Sequence, residues 1–307
     1  MPDLELATEI EHSTSEASAK RGADGDPSIV TEWIKGALIG TGSAGAVYLG
    51  MDGSTGLLMA VKQFERPADS AADQERKKSI VDTVEREIEL AKNLRHKNIL
   101  QYLSSLREAE HLNIFVEYVP GGSIAALLQN YGAFHEALTK TFVRQILEGL
   151  DYLHEHDIVH SNLKCTKILV DNKGGVKIST FGISKIGEDG TLSGDQAPGS
   201  VFWMAPEVVK RSGHTQKASN IWSLGCAIVE MLTAEHPWPT LTPMQAIFKI
   251  GSSNASPDIP SGISSEAQDF LRRAFELDPQ ARPSAKELPQ HAWLCRKIIG
   301  GAGPKVK

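Results

Sequence analysis

Cysteine is sparse in this chain: Cys165, Cys226 and Cys295 are its only three, far apart and odd in number. Such spacing fits neither a disulfide framework nor a zinc site and is that of reduced thiols. No run of about 18 apolar residues occurs, which excludes a hydrophobic membrane-spanning helix. The acidic opening MPDLELATEIEHS lacks the basic start and apolar middle of a secretory signal. Long basic blocks are absent as well. With a formal net charge of -6 and a pI near 5.9, the chain is ill suited to neutralising a nucleic-acid backbone or an anionic membrane. These absences set the expectation of a soluble, cytoplasmic protein with no nucleic-acid or membrane partner.

What is present is of ordinary globular composition. At 307 residues, 41% hydrophobic and 23% charged, the chain has material for a large core or two packed lobes. Residues 1–32 are rich in Ser, Ala, Glu, Asp and Gly with few large apolar groups, which predicts a flexible tail. So short a tail leaves no room for a folded regulatory domain, and partners are expected on the body or the tails. From Trp33 the runs WIKGALIG, AVYLGMD and LLMAVKQF, the last two separated by GSTG, predict a small antiparallel sheet. In SIVDTVEREIELAKNL, Ile80, Val84, Ile88 and Ala91 recur at helical spacing, and Glu87 falls on that same face. More sheet is expected in LNIFVEYV, followed by a break at Gly121 and Gly122. The remainder reads as mostly helical, with Phe142, Ile146, Leu150 and Leu153 along one side of a helix and IWSLGCAIVEMLTA apolar almost all round. Between these helices KILV, the turn DNKGG and VKIS predict a hairpin, and residues 297–307 a frayed C-terminal tail. No internal repeat is apparent.

Two patterns point to chemistry. GTGSAGAV, from Gly40 to Val47, matches G-x-G-x-x-G-x-V between two predicted strands, where glycines let backbone N–H groups approach phosphate oxygens. The next strand carries Lys62 in MAVK, whose ammonium suits phosphates and whose natural orienter is Glu87. Further along come VEYVPGGS, APE at Ala205 to Glu207, IWSLGC, and Arg282 in DPQARP. On these residues the chain resembles a eukaryotic protein kinase domain from about Trp33 to Leu294. The stretches WIKGALIGTGS, LNIFVEYVPGGS and GSVFWMAPEVV are most similar to mitogen-activated protein kinase kinase kinases of the fungal mating and stress type.

The resemblance implies an α+β, bilobal fold, with a small antiparallel-sheet N-lobe over about 33–119 and a larger helical C-lobe over about 120–296. It implies ATP between the lobes, contacted from the glycine loop by Ile39, Gly40, Thr41, Gly42, Ser43, Ala44, Gly45 and Val47. Ala60, Lys62 and Glu87 follow, then Val116, Glu117 and Val119 at the lobe junction, and Lys167, Leu169 and Thr180 beyond it. It further implies Ser/Thr specificity, an activation segment containing Ser193, Ser200 and Glu207, an Arg282–Glu207 pair, and partners among the proteins of a MAP kinase cascade.

The departures are as informative. His160, Ser161, Asn162, Leu163, Lys164, Cys165, Thr166 and Lys167 stand where the family has H-R-D-x-K-x-x-N, and Thr180, Phe181 and Gly182 where it has D-F-G. Asn162 takes the place of the catalytic base, and its amide has no useful basicity near neutral pH. The two metal positions are held by the ammonium of Lys167 and the hydroxyl of Thr180, whereas Mg2+ prefers anionic oxygens. Each of the three changes makes the site about one charge unit more positive. The metal set is therefore read as lost, with Lys167 a candidate to neutralise phosphate in its stead and Lys164 a candidate phosphate contact. Ser161 replaces the Arg that captures a phosphorylated loop, which leaves phosphate on Thr191, Ser193 or Ser200 without that partner. Asn220 replaces a bracing Asp, and Ala91 and Ala44 are smaller than the family's residues. Three readings stay open. One is a pseudokinase that binds ATP and acts as a scaffold or regulator. Another is a Ser/Thr kinase of weak or unconventional activity, with Asp171 as a displaced metal-recruiting acid. The third is a decayed or disabled copy.

Overall fold

A computed structural model describes residues 30, 32–42, 45–65, 71–180, 183–185, 198–210, 216–252 and 255–295; for 42, 71–80, 183–185, 198–200 and 216 it describes the backbone alone. Ser43, Ala44, Phe181, Gly182, Thr191, Ser193 and both expected tail ends lie outside the described residues. The chain divides into two compact units, residues 1–94 with 100–119, and residues 95–99 with 120–307.

Among its described residues the first unit holds a five-stranded antiparallel sheet and one helix. Its strands are β1 (Trp33–Gly42), β2 (Gly45–Asp52) and β3 (Leu58–Glu65), then, after α1 (Ala71–Ala91), β4 (Tyr102–Arg107) and β5 (His111–Glu117), in the order β1-β2-β3-β5-β4. The GSTG turn closes because Asp52 Oδ1 accepts the N–H groups of Ser54 and Thr55, both at 2.8 Å, while Gly56 takes φ 73°. Met59, Val61 and Phe115 form the core of one sheet face, with Trp33 edge-on to Phe115 at 5.8 Å. Val30 joins that core at 4% exposure and its N–H reaches Ser104 Oγ at 3.4 Å, although the stretch before Trp33 reads from sequence as tail. On α1, Val84 and Ala91 are buried and Ile88 and Glu87 half-buried, as the helical spacing predicts.

The second unit is mainly helical. It begins with α2 (Ile124–Tyr131), capped by Ser123, whose Oγ accepts the Ala126 N–H at 3.2 Å, and α3 (Glu136–Glu155). Phe142, Ile146, Leu150 and Leu153 are all buried on α3. Strand β6 (Ile158–His160) precedes a short 3-10 turn at Cys165–Lys167 and the hairpin of β7 (Ile168–Val170) and β8 (Val176–Ile178); β6 pairs with β9 (Ile183–Lys185). Gly121 is required where it stands, since a Cβ there would lie 2.2 Å from the Val170 carbonyl oxygen. After these come α4 (Pro206–Val209), α5 (Gln216–Thr233), α6 (Pro243–Ser252), α7 (Ser265–Ala274) and α8 (Ala292–Cys295). Helix α5 is the buried axis, with Ile221, Trp222, Leu224, Cys226, Ala227, Ile228 and Met231 all solvent-free. The architecture is the α+β arrangement expected, an antiparallel-sheet lobe and a helical lobe.

Candidate functional site

The site residues fall into two sets, one in each unit. In the first, β1 and β2 form the glycine hairpin with Gly40 opposite Val47, Thr41 opposite Ala46 and Gly42 opposite Gly45. Gly45 has φ 146°, and a Cβ on it would come within 2.2 Å of the Gln63 carbonyl oxygen, so the third glycine is a steric necessity of the neighbouring strand. Ile39 is exposed, and Lys62, half-buried on β3, pairs across the sheet with Val47 on one side and Ile114 on the other. Its Nζ lies 4.6 Å from the centre of the Phe64 ring. Ala60 sits opposite Val116, both buried; the Glu117 N–H donates to the Gln101 carbonyl at 3.0 Å while Glu117 Oε1 accepts the Gln101 N–H at 2.6 Å. Val119, the last residue of this unit, is buried.

The second set is organised around His160, which is 1% exposed. Its Nδ1 accepts the Asn162 N–H at 3.2 Å and its Nε2 bonds the Ser179 carbonyl at 3.0 Å, so the proton belongs on Nε2 and the ring is neutral. Burial, reinforced by the Lys167 ammonium, pushes this imidazole down to about 4. The backbone of His160 is gripped by Asn220 on α5: Oδ1 accepts the His160 N–H at 3.0 Å and Nδ2 donates to the His160 carbonyl at 2.8 Å. The same Oδ1 meets His154 Nε2 at 3.0 Å, and burial holds His154 below the usual imidazole range. Asn220 thus makes three bonds through its amide.

Past His160, Asn162 is half-buried, Lys164 places its Nζ 5.3 Å from the centre of the Trp203 ring, and the Lys167 N–H donates to the Lys164 carbonyl at 2.8 Å. Burial and then the Lys167 ammonium lower the proton affinity of Lys164, against the pull of Glu230. Leu169 pairs with Lys177 in the hairpin, and Thr180 follows β8 in a buried position. Glu230 is a site residue that sequence reasoning missed. It accepts the Trp203 indole N–H at 3.0 Å and the Cys165 N–H at 3.4 Å, and burial raises its carboxyl above the usual range. Its signal was a lone carboxylate in an otherwise apolar helix. Further along, Arg282 binds Glu207 through both nitrogens, Nη1 to Oε1 at 2.7 Å and Nη2 to Oε2 at 3.2 Å, as the resemblance implies. Ser200 is described in backbone only, within the 3-10 segment Pro198–Trp203.

The donors at the expected metal positions do not fit Mg2+. The charge of Lys167 disfavours a proton on both His160 and Lys164, and among the described residues no group of three or more His, Cys, Asp or Glu side chains is placed to hold a metal ion. Asp171, the candidate displaced acid, uses Oδ1 to accept the N–H groups of Lys173 at 2.7 Å and Gly175 at 2.8 Å, closing its own turn. Also among the described residues, no helix is long and apolar enough to cross a membrane.

Comparison with known proteins agrees with this architecture. The chain is similar to mitogen-activated protein kinase kinase kinase MST11 of Pyricularia oryzae, 54% identical over 268 residues, covering 84% of this chain and 29% of the relative. It is 47% identical to serine/threonine-protein kinase STE11 of Saccharomyces cerevisiae, covering 87% of this chain and 42% of that protein. Mitogen-activated protein kinase kinase kinase 2 of Arabidopsis thaliana is 45% identical, with 86% and 41% covered. The chain therefore spans between 29% and 42% of the length of these three relatives. The family described as protein kinase domain matches residues 33–294, and the chain belongs to that family.

Proposed function

We propose that this chain is a pseudokinase of the MAP kinase kinase kinase type: a kinase-shaped module, its kinase-like domain at residues 33–296, that binds ATP and serves as a scaffold or regulator in a MAP kinase cascade without appreciable phosphoryl transfer. One observation carries the reading. The loop after β6, held in place by His160 and Asn220, presents Asn162, Lys164 and Lys167, with no carboxylate from Ser161 to Val170. An amide at the base position takes no proton from an incoming hydroxyl, a loss of roughly 10²- to 10⁴-fold by itself. The missing metal set removes charge stabilisation of the transferring phosphoryl group as well, though such losses do not simply multiply. The cascade assignment draws on the names of the similar proteins, and a cytoplasmic setting accords with it.

The alternative, a weak Ser/Thr kinase with a displaced acid, is disfavoured by the engagement of Asp171 in its turn. Transfer of labelled phosphate from ATP to a generic protein substrate, measured beside Lys62→Met, separates the two. The expected result is the same background in both proteins; labelling that vanishes in the Lys62→Met chain establishes the enzyme and overturns the proposal.

A further inference from the structure

We propose that Ser256 is a phosphorylation site for a proline-directed Ser/Thr protein kinase, and that the phosphate it receives is held by Arg272 in the cleft the two residues share. The site lies in the connection between α6 and α7, and nothing in it depends on whether this chain transfers phosphate itself.

Serine or threonine precedes proline at two places, Thr242–Pro243 and Ser256–Pro257, which bracket α6. Proline has no N–H, so a kinase whose peptide groove offers an apolar seat and no acceptor after the target residue selects such pairs. The fold separates the two. Thr242 caps α6: its hydroxyl donates to Gln245 Oε1 at 3.1 Å and accepts the Gln245 N–H at 3.4 Å, and Pro243 opens the helix. That hydroxyl is engaged, and the residues after it are helical. Ser256 is exposed, in a run from 255 to 260 without helix or strand. Among the described residues nothing bonds its hydroxyl, and residues 255–259 make no hydrogen bond. Pro257 is buried, but a segment so lightly tied lifts from the surface at small cost, and the residue before a proline already favours the extended form that a kinase groove takes.

A surface cleft of about 450 Å³ is lined by this segment, including Ser256, Pro257 and Asp258, and by Gln268 and Arg272 of α7. Arg272 is the one cation among the lining residues and Asp258 the one acid, both exposed. Among the described residues the Arg272 guanidinium makes a single hydrogen bond, from Nη2 to Gln268 Oε1 at 3.1 Å, which leaves its other N–H donors for a ligand. The neighbouring Arg273 is instead paired with Asp269 at 3.0 Å. A phosphoserine brings about 1.5 to 2 negative charges and three acceptor oxygens, which match the planar fork of arginine. The Asp258 carboxylate opposes it only through solvent, where charge is screened. In the transfer the γ-phosphoryl group of ATP moves to Ser256: the Oγ–P bond forms, the bond from that phosphorus to the β,γ-bridging oxygen breaks, ADP leaves, and the hydroxyl proton passes to the base of the modifying kinase.

The test begins with the whole chain incubated with ATP, with and without a purified proline-directed Ser/Thr kinase, and phosphate located by peptide mass spectrometry. Phosphate is expected on Ser256 when the kinase is added, with Thr242 labelled about 10-fold less or lower, since it must first uncap α6. A Ser256 left unlabelled, or labelled no better than Thr242, overturns the site; phosphate on Ser256 without the added kinase overturns its assignment to a separate enzyme. Phosphorus NMR then follows the Ser256 phosphate against pH, in the native chain and in Arg272→Ala, with melting curves confirming that the variant folds. The second ionisation of phosphoserine, near pH ~6 when free, should lie roughly 0.5 pH unit or more lower in the native chain than in the variant, because the guanidinium favours the dianion. Equal titration in the two proteins overturns the role of Arg272.

Discussion

Asn220 uses both ends of its amide, and that distinguishes it from the aspartate whose place it takes in the family. Its oxygen accepts two N–H groups and its nitrogen donates to the His160 carbonyl at 2.8 Å, all in a buried environment. Aspartate keeps the first two bonds but turns an oxygen toward the His160 carbonyl, leaving two acceptors face to face. Asn220→Asp is therefore expected to lower stability by about 1–3 kcal/mol near pH 8, the cost of an unsatisfied buried group, as read by urea denaturation. His160 sets a second expectation at this scale. Its folded proton affinity lies at about 4 against 6.5 for the model imidazole. The unfolded chain thus binds the proton more readily below pH ~6.5, so stability is whole above that value and falls with pH until about pH 4, by on the order of 3 kcal/mol. His154 and His96 are lowered too and act in the same direction. Glu230, raised by burial, acts oppositely above its unfolded value. Comparing wild type with His160→Gln at pH 7.5, 6 and 5 isolates the contribution: the slope should be visibly shallower in the variant.

At the scale of elements, the hairpin β7–β8 shows what local chemistry can specify. KILV, DNKGG and VKIS announce it in sequence, and Asp171 with Gly174 at φ 80° completes the turn. Asp171→Ala should cost about 1 kcal/mol in a melting experiment, for two backbone N–H groups returned to water at an accessible turn. It should also leave phosphate labelling at background; a fall in labelling would implicate Asp171 in chemistry. The glycine hairpin, Lys62 on β3 and the inward face of α3 were legible for the same reason, since spacing and glycine placement express them directly. Other features depend on partners distant in sequence. YLSSLR gives little apolar alternation, yet it forms β4 because Ser104 is buried beside Val30 and the Tyr102 hydroxyl donates to Ser105 Oγ at 3.0 Å. Val30 sits in a polar stretch and is placed by the sheet core and by Ser104, 74 residues further along the chain. Glu230 stands out in sequence as a lone carboxylate in an apolar helix, but its partners Trp203 and Cys165 are distant in sequence and only the fold brings them to it.

For the whole molecule, the framework and the chemistry are separable. Arg282 is wholly buried, grips Glu207 through two nitrogens, and also donates to the carbonyls of Ala218 and Glu276. Removing one member of such a pair strands a charge, so Glu207→Ala should destabilise the fold by about 3–5 kcal/mol, measured as a shift in the denaturation midpoint. Asn162, Lys167 and Thr180 differ from the family pattern in charge instead. Replacing them together, Asn162→Asp, Lys167→Asn and Thr180→Asp, takes the formal net charge from -6 to -9, one unit for each position. If the loss of activity lies in those three side chains, the triple variant regains a base and an anionic oxygen set while the His160–Asn220 brace stays intact. Phosphate labelling should then rise at least ~10²-fold above the unmodified chain and should require Mg2+. A folded triple variant that neither labels substrate nor acquires metal dependence would place the defect outside these residues, and would remove the electrostatic basis on which the inactive reading stands.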